Sequence, residues 1–65
     1  MTQAALKEEA LDRTQMVSFV VGEHLKSHAF IAAHSDLAAI CARIERELAE
    51  LYGAIAATEN GDAAA

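Results

Sequence analysis

The stretch LAAICARIERELAELYGAI, from Leu37 to Ile55, decides the fold of this chain. Leu37, Cys41, Ile44, Leu48, Leu51 and Ile55 recur at steps of four, three, four, three and four residues. That spacing lines up one apolar seam along an α-helix. On a helical wheel at about 100° per residue, Ile40 and Tyr52 widen the seam, while Arg43, Arg46, Glu47 and Glu50 gather on the opposite side. A seam of this kind requires a partner surface. Ala38, Ala42, Ala49 and Ala56 flank it and permit close approach of a second helix.

Working outward, Ser35 is expected as the N-cap of this helix, with Asp36 in its first turn, where a negative charge suits the helix dipole. Asn60-Gly61 is a common helix stop, which places the helix at about residues 36–58. Residues 61–65 are expected to form a disordered tail. Upstream, Thr2 is the expected N-cap of a first helix over about residues 3–28. Ala10, Thr14, Val17, Val21, His24 and His28 form its seam, broadened by Leu6, Val20 and Leu25. Strand alternation is absent even in the β-branched run Met16 to Val21. Gly22 inside the helix is expected to cost about 1 kcal/mol relative to alanine. Together with Ser18 it makes either a small-residue notch for a neighbouring backbone or a tolerated weakness. The connector, residues 29–35, is too apolar for an ordinary solvated loop, and Phe30 and Ile31 are expected to cap the end of the core.

The chain has no proline and only three glycines, so nothing divides it into β-turn units. The expected class is all-α, a single antiparallel helical hairpin over residues 1–60. Each helix should be about 35 Å long. At 65 residues the chain has little room for a self-sufficient core. Disulfides cannot help, because Cys41 is the only cysteine. A second hairpin can, and a homodimeric four-helix bundle is the economical solution. A complex with another protein partner is the alternative. The expected core and dimer interface comprises Val17, Val21, Leu25, Leu37, Cys41, Ile44, Leu48, Leu51 and Ile55.

Ala38, Ile40 and Cys41, followed by Glu50-Leu51-Tyr52 at the same offset, give this second helix a particular look. From Ala38 to Tyr52 the chain resembles, without a gap, the second helix of the Rop family of plasmid copy-control proteins. Ile44 stands where that family has leucine, and Leu48 where it has a small core alanine. The resemblance implies a hairpin that dimerises into a four-helix bundle and binds paired RNA loops. The family's RNA face is a Lys, Asn, Phe, Gln, Lys series on the first helix. Centred on Phe19, the same register here reads Glu8, Gln15, Phe19, Glu23 and Phe30; centred on Met16, it reads Ala5, Asp12, Met16, Val20 and Ser27. Neither supplies a lysine for phosphate contact. The resemblance therefore speaks for the bundle more than for the RNA.

Charge points the same way. Ten acidic against five basic residues give a formal charge of −5, which opposes nucleic acid and anionic membranes. Lys7, Arg13 and Lys26 are dispersed among Glu8, Glu9, Asp12 and Glu23, and Arg43 and Arg46 share their face with Glu47 and Glu50, where i,i+4 pairing suits a solvated surface. Nucleic acid is not expected as a partner. No uncharged segment approaches the roughly 20 apolar residues of a membrane span. Lys7, Glu8 and Glu9 stand where a secretory leader has a basic region and an apolar run. One unpaired thiol fits a reducing compartment, so the expected location is cytoplasmic.

Chemistry is sparse. His24 and His28 are four apart, a spacing that can chelate a metal, with His34 and Asp36 within reach of the connector. No second motif accompanies them, and histidines near a helix C-terminus are also favoured by its dipole. No metal or cofactor is expected, although a metal- or cofactor-binding bundle through His24 and His28 is one alternative function. Cys41 on an apolar seam reads as a small buried hydrophobe. Glu45, Glu47 and Glu50 are interspersed with arginines on a solvated face and make no acid/base pair. No phosphate-binding glycine loop or nucleophile motif occurs, and catalysis is not expected. Phe19 is the outlier. It falls on the charged side of the first helix, with Met16 beside that arc, and these two are the candidate partner contacts. The expected function is that of a non-enzymatic interaction, adaptor or regulatory module, with a Rop-like RNA-binding regulator as the rival.

Overall fold

A computed structural model describes residues 2–59. Helix α1 spans Gln3–Val20 and passes without interruption into a wide, π-helical segment, Val21–Lys26. A single turn, α2, covers Ala29–Ala32, and α3 runs Ser35–Ala57. The described residues contain no strand, so the class is all-α. The tail expected at 61–65 lies outside the described residues.

Thr2 opens α1 as its side chain allows. It stays extended, and its Oγ accepts a hydrogen bond from the Ala5 N–H at 3.1 Å. The other end of this helical run is marked by neither glycine nor proline. Ser27 is the last residue in helical geometry, and its hydroxyl donates to the Glu23 carbonyl, offering the backbone a local alternative to another turn. His28 then turns extended, with ψ of 133°, and its Nδ1 accepts from the Phe30 N–H at 3.2 Å. A histidine thus caps α2. The connector is tied to itself again at His34, whose ring packs on Phe30 with centroids 4.4 Å apart. Its Nδ1–H donates to the Phe30 carbonyl at 2.7 Å. His34 also occupies the cap position before α3, where Ser35 was expected; Ser35 is instead the first helical residue.

The two long helices run antiparallel. Lys7 Nζ donates to the Thr58 carbonyl at 2.9 Å at the open end, and Lys26 Nζ lies 3.6 Å from Glu45 Oε1 near the connector. A lysine beside a helix C-terminus also suits the α3 dipole. Between the helices, Leu11, Thr14, Ser18 and Val21 of the first run and Leu37, Cys41, Glu45 and Leu48 of α3 are buried or half-buried. The interior is thin: Val21, Cys41 and Thr14 are the buried side chains among the described residues, and each keeps a few per cent of its surface exposed. Thr14 is satisfied there, its hydroxyl donating to the Ala10 carbonyl at 2.8 Å.

Of the expected α1 seam, Thr14 and Val21 are buried and Ala10 is half-buried, whereas His24 and His28 are exposed. Val17 and Leu25, expected in the core and dimer interface, are exposed in the single hairpin. The helix has turned until Thr14, Ser18 and Gly22, one ridge at four-residue steps, lies along α3. Ile44 and Leu51 on α3 are likewise exposed in the single hairpin, as is Phe30, whereas Ile31 is half-buried at the core's end. The Cα atoms span 9 Å in the thinnest direction, one helix deep, so no second layer covers the outward flanks.

Candidate interaction surfaces

The apolar side chains left outside the hairpin fall on two surfaces. The first is a flank shared by both long helices. On α3, Ile40, Ile44 and Leu51 are separated by four and seven residues, about one and two turns, and form the uncovered half of the apolar stripe. On the first helix, Leu6 and Val17 are eleven residues apart, about three turns, and lie on the same flank. Leu25 completes the row because of the wide segment. In an unbroken α-helix, eight residues would carry Leu25 about 80° past Val17, toward α3. Wide turns advance less per residue, and Leu25 stays on the flank.

At the connector end this flank is hollow. Leu25, Ile31, Leu37, Ile40, Cys41 and Ile44 line an open depression of about 200 Å³. Its walls are almost wholly apolar, and Cys41, 4% exposed, forms part of the floor. Farther along α3, Leu48 and Ile55 are half-buried beneath the same flank.

The second surface faces away from α3. Met16, Phe19 and Val20, at i, i+3 and i+4 on α1, are 63%, 66% and 45% exposed. Phe19 and Met16 stand where the sequence placed them. Val20, expected to widen the inner seam, joins them on the outer face.

The charged groups distribute unevenly around these surfaces. Lys26 is engaged with Glu45, a carboxylate expected on the solvated face but half-buried beside Gly22. Arg13 pairs with Glu9 at 3.5 Å one turn away. These are the ion pairs among the described residues; the expected pairing of Arg43 and Arg46 with Glu47 and Glu50 does not close.

The histidines do not converge. His24 lies within the wide segment, His28 follows the end of the helix and uses Nδ1 as a cap, and His34 is tied to Phe30. The four-residue spacing of His24 and His28 therefore does not set two imidazoles on consecutive turns of one helix. Among the described residues no three His, Cys, Asp or Glu side chains gather as a metal site. No helix of the described residues is long and apolar enough to cross a membrane.

Comparison with protein-family models, with curated proteins and with solved structures finds no match to this chain. Its surfaces must be interpreted from their own chemistry. Leu11 is the contributor that hydrophobic patterning missed, because it stands apart from the expected seam; Ser18 and Ile31 are half-buried, as the notch and the core cap expected of them require.

Proposed function

We propose that this protein is a non-enzymatic interaction module whose working form is a homodimeric four-helix bundle. The observation that supports this reading is the shared flank, where Leu6, Val17, Leu25, Ile40, Ile44 and Leu51 stand exposed on a hairpin one helix deep. A second copy presents the same flank. Two such faces brought together by a two-fold axis satisfy each other, because an isologous interface needs only self-complementarity. The resulting bundle places the seams of four helices in one core and supplies the burial that a chain of 65 residues lacks alone.

A cytoplasmic location fits the single reduced thiol on this reading, since Cys41 lies at the floor of the flank that the second copy covers. The partners of the assembled bundle are proteins. The formal charge of −5 and the scattered cations give a phosphate backbone no cationic track to follow, which ranks the Rop-like RNA-binding reading second.

Native mass spectrometry at micromolar concentration tests the proposal. The expected result is a species of twice the 6.9 kDa chain mass carrying no small molecule. A monomer as the sole species would overturn the dimer, and a retained metal or cofactor would overturn the interaction reading.

A further inference from the structure

We propose that the outward strip of α1 made by Met16, Phe19 and Val20 docks a cationic amphipathic helix of a partner protein. This rests on the reading of the chain as an interaction module, and it names the chemistry of the partner. The strip centres on Met16 and Phe19, away from the flank assigned to the second copy, and Val20 lies at its border with that flank. It points away from α3, and its three side chains are spaced for the apolar ridge of a crossing helix.

The rim of the strip supplies the sign of the partner. Asp12 lies one turn before Met16, Glu23 one turn after Phe19, and Glu8 one turn before Asp12, all exposed. The first helical run also carries three cations, and each is engaged: Lys7 and Lys26 reach across to the α3 side, while Arg13, one turn before Met16, is matched in charge by Glu9. Lys7 reaches the Thr58 carbonyl at 2.9 Å, Arg13 pairs with Glu9 at 3.5 Å, and Lys26 crosses to Glu45 at 3.6 Å. Glu8, Asp12 and Glu23 have no ion pair among the described residues. An apolar strip rimmed by three carboxylates complements a helix with apolar residues at helical spacing and Lys or Arg beside them. The same rim repels phosphate, which disfavours both RNA and an anionic bilayer as the occupant.

Phe19 is the anchor. It is the most exposed of the large apolar side chains at 66%, and an aromatic ring contributes a large buried area for few lost rotamers. Met16 adapts to the shape of what lies against it, its unbranched thioether fitting irregular surfaces. The carboxylates set orientation and encounter rate more than final affinity.

The test uses the full chain, labelled with ¹⁵N, titrated with a synthetic helical peptide that has leucines at helical spacing and lysines elsewhere. The expected result is saturable shift perturbation centred on Asp12, Met16, Phe19, Val20 and Glu23, weakened in about 1 M salt, where the screening length falls to about 3 Å. A control peptide with glutamates in place of the lysines should leave the spectrum unchanged. Phe19→Ala should weaken binding at least tenfold, and Asp12→Asn with Glu23→Gln should weaken it further while circular dichroism stays helical. Perturbation confined to Ile40, Ile44 and Leu51 would overturn the proposal. Equal binding of the glutamate peptide, an RNA hairpin or phosphatidylserine vesicles would overturn it as well.

Native mass spectrometry of the same mixture separates this inference from the dimer. A dimer whose strip ignores the lysine peptide defeats the inference alone. A monomer that binds the peptide through Phe19 defeats the dimer alone.

Discussion

Lys26 and Glu45 join the two long helices near the connector, the ammonium standing 3.6 Å from Oε1 of a carboxylate that is 28% exposed. The pair closes the end of the hairpin where the wide segment departs from α-helical phase. Lys26 is 64% exposed, so solvent screens the pair and its contribution is small, about 0.2–1 kcal/mol. Glu45→Gln should lower stability by that amount in urea denaturation, and about 1 M salt should remove most of the difference between the proteins. A difference unchanged by salt would show that Glu45 acts through packing and not through charge.

Gly22 lies beside the same carboxylate. A Cβ added there would meet Glu45 Oε2 at 3.6 Å, an ordinary van der Waals separation, and its φ is not positive. Neither close approach nor backbone conformation requires glycine. Gly22→Ala should therefore raise stability by up to about 1 kcal/mol through helix propensity. Thermal unfolding at fixed protein concentration measures it. A loss of stability would mean that the wide turn depends on the freedom of glycine at this position.

Cys41 is the most buried of the apolar side chains, at 4% exposure. Its thiol should react slowly with Ellman's reagent in the folded protein and quickly in denaturant, with the native rate set by opening of the hairpin. Cys41→Ser places a hydroxyl with no assigned partner in the same space and should destabilise the fold by about 1–3 kcal/mol. Rapid native labelling would show that the flank above Cys41 is open in solution.

Much of the architecture was legible because α3 carries a long, regular stripe. Leu37 through Ile55 announced both the helix and its need for a partner, and Thr2 marked the start of α1 by its capping chemistry. The first helix was harder to interpret, for two physical reasons. Its contact ridge runs through Thr14, Ser18 and Gly22, and small residues such as Ser18 and Gly22 fit a packing notch and a tolerated weakness equally well until the facing helix is in place. Its phase also changes at Val21–Lys26, so a fixed period ran the helix through His28.

The surfaces divide in the same manner. Phe19 and Met16 could be placed outside because charged residues surround them on the wheel. Val20 could not, since it sits between the inner seam and the outer strip, and only the rotation of α1 against α3 decides between them. The break at Ser27 and His28 left no glycine or proline to find. It depends on side-chain hydrogen bonds that either residue could equally have made with water.

Sedimentation equilibrium of the wild-type chain beside Ile44→Glu tests the central claim most directly. Ile44 is 39% exposed in the hairpin, so a glutamate there can remain solvated in a single copy and is buried only if a second copy covers the flank. The wild type should fit a reversible dimer of the 6.9 kDa chain, and Ile44→Glu should sediment as a helical monomer at the same concentration. Two proteins with the same mass, whether both monomeric or both dimeric, would contradict the assignment of this flank to a second copy.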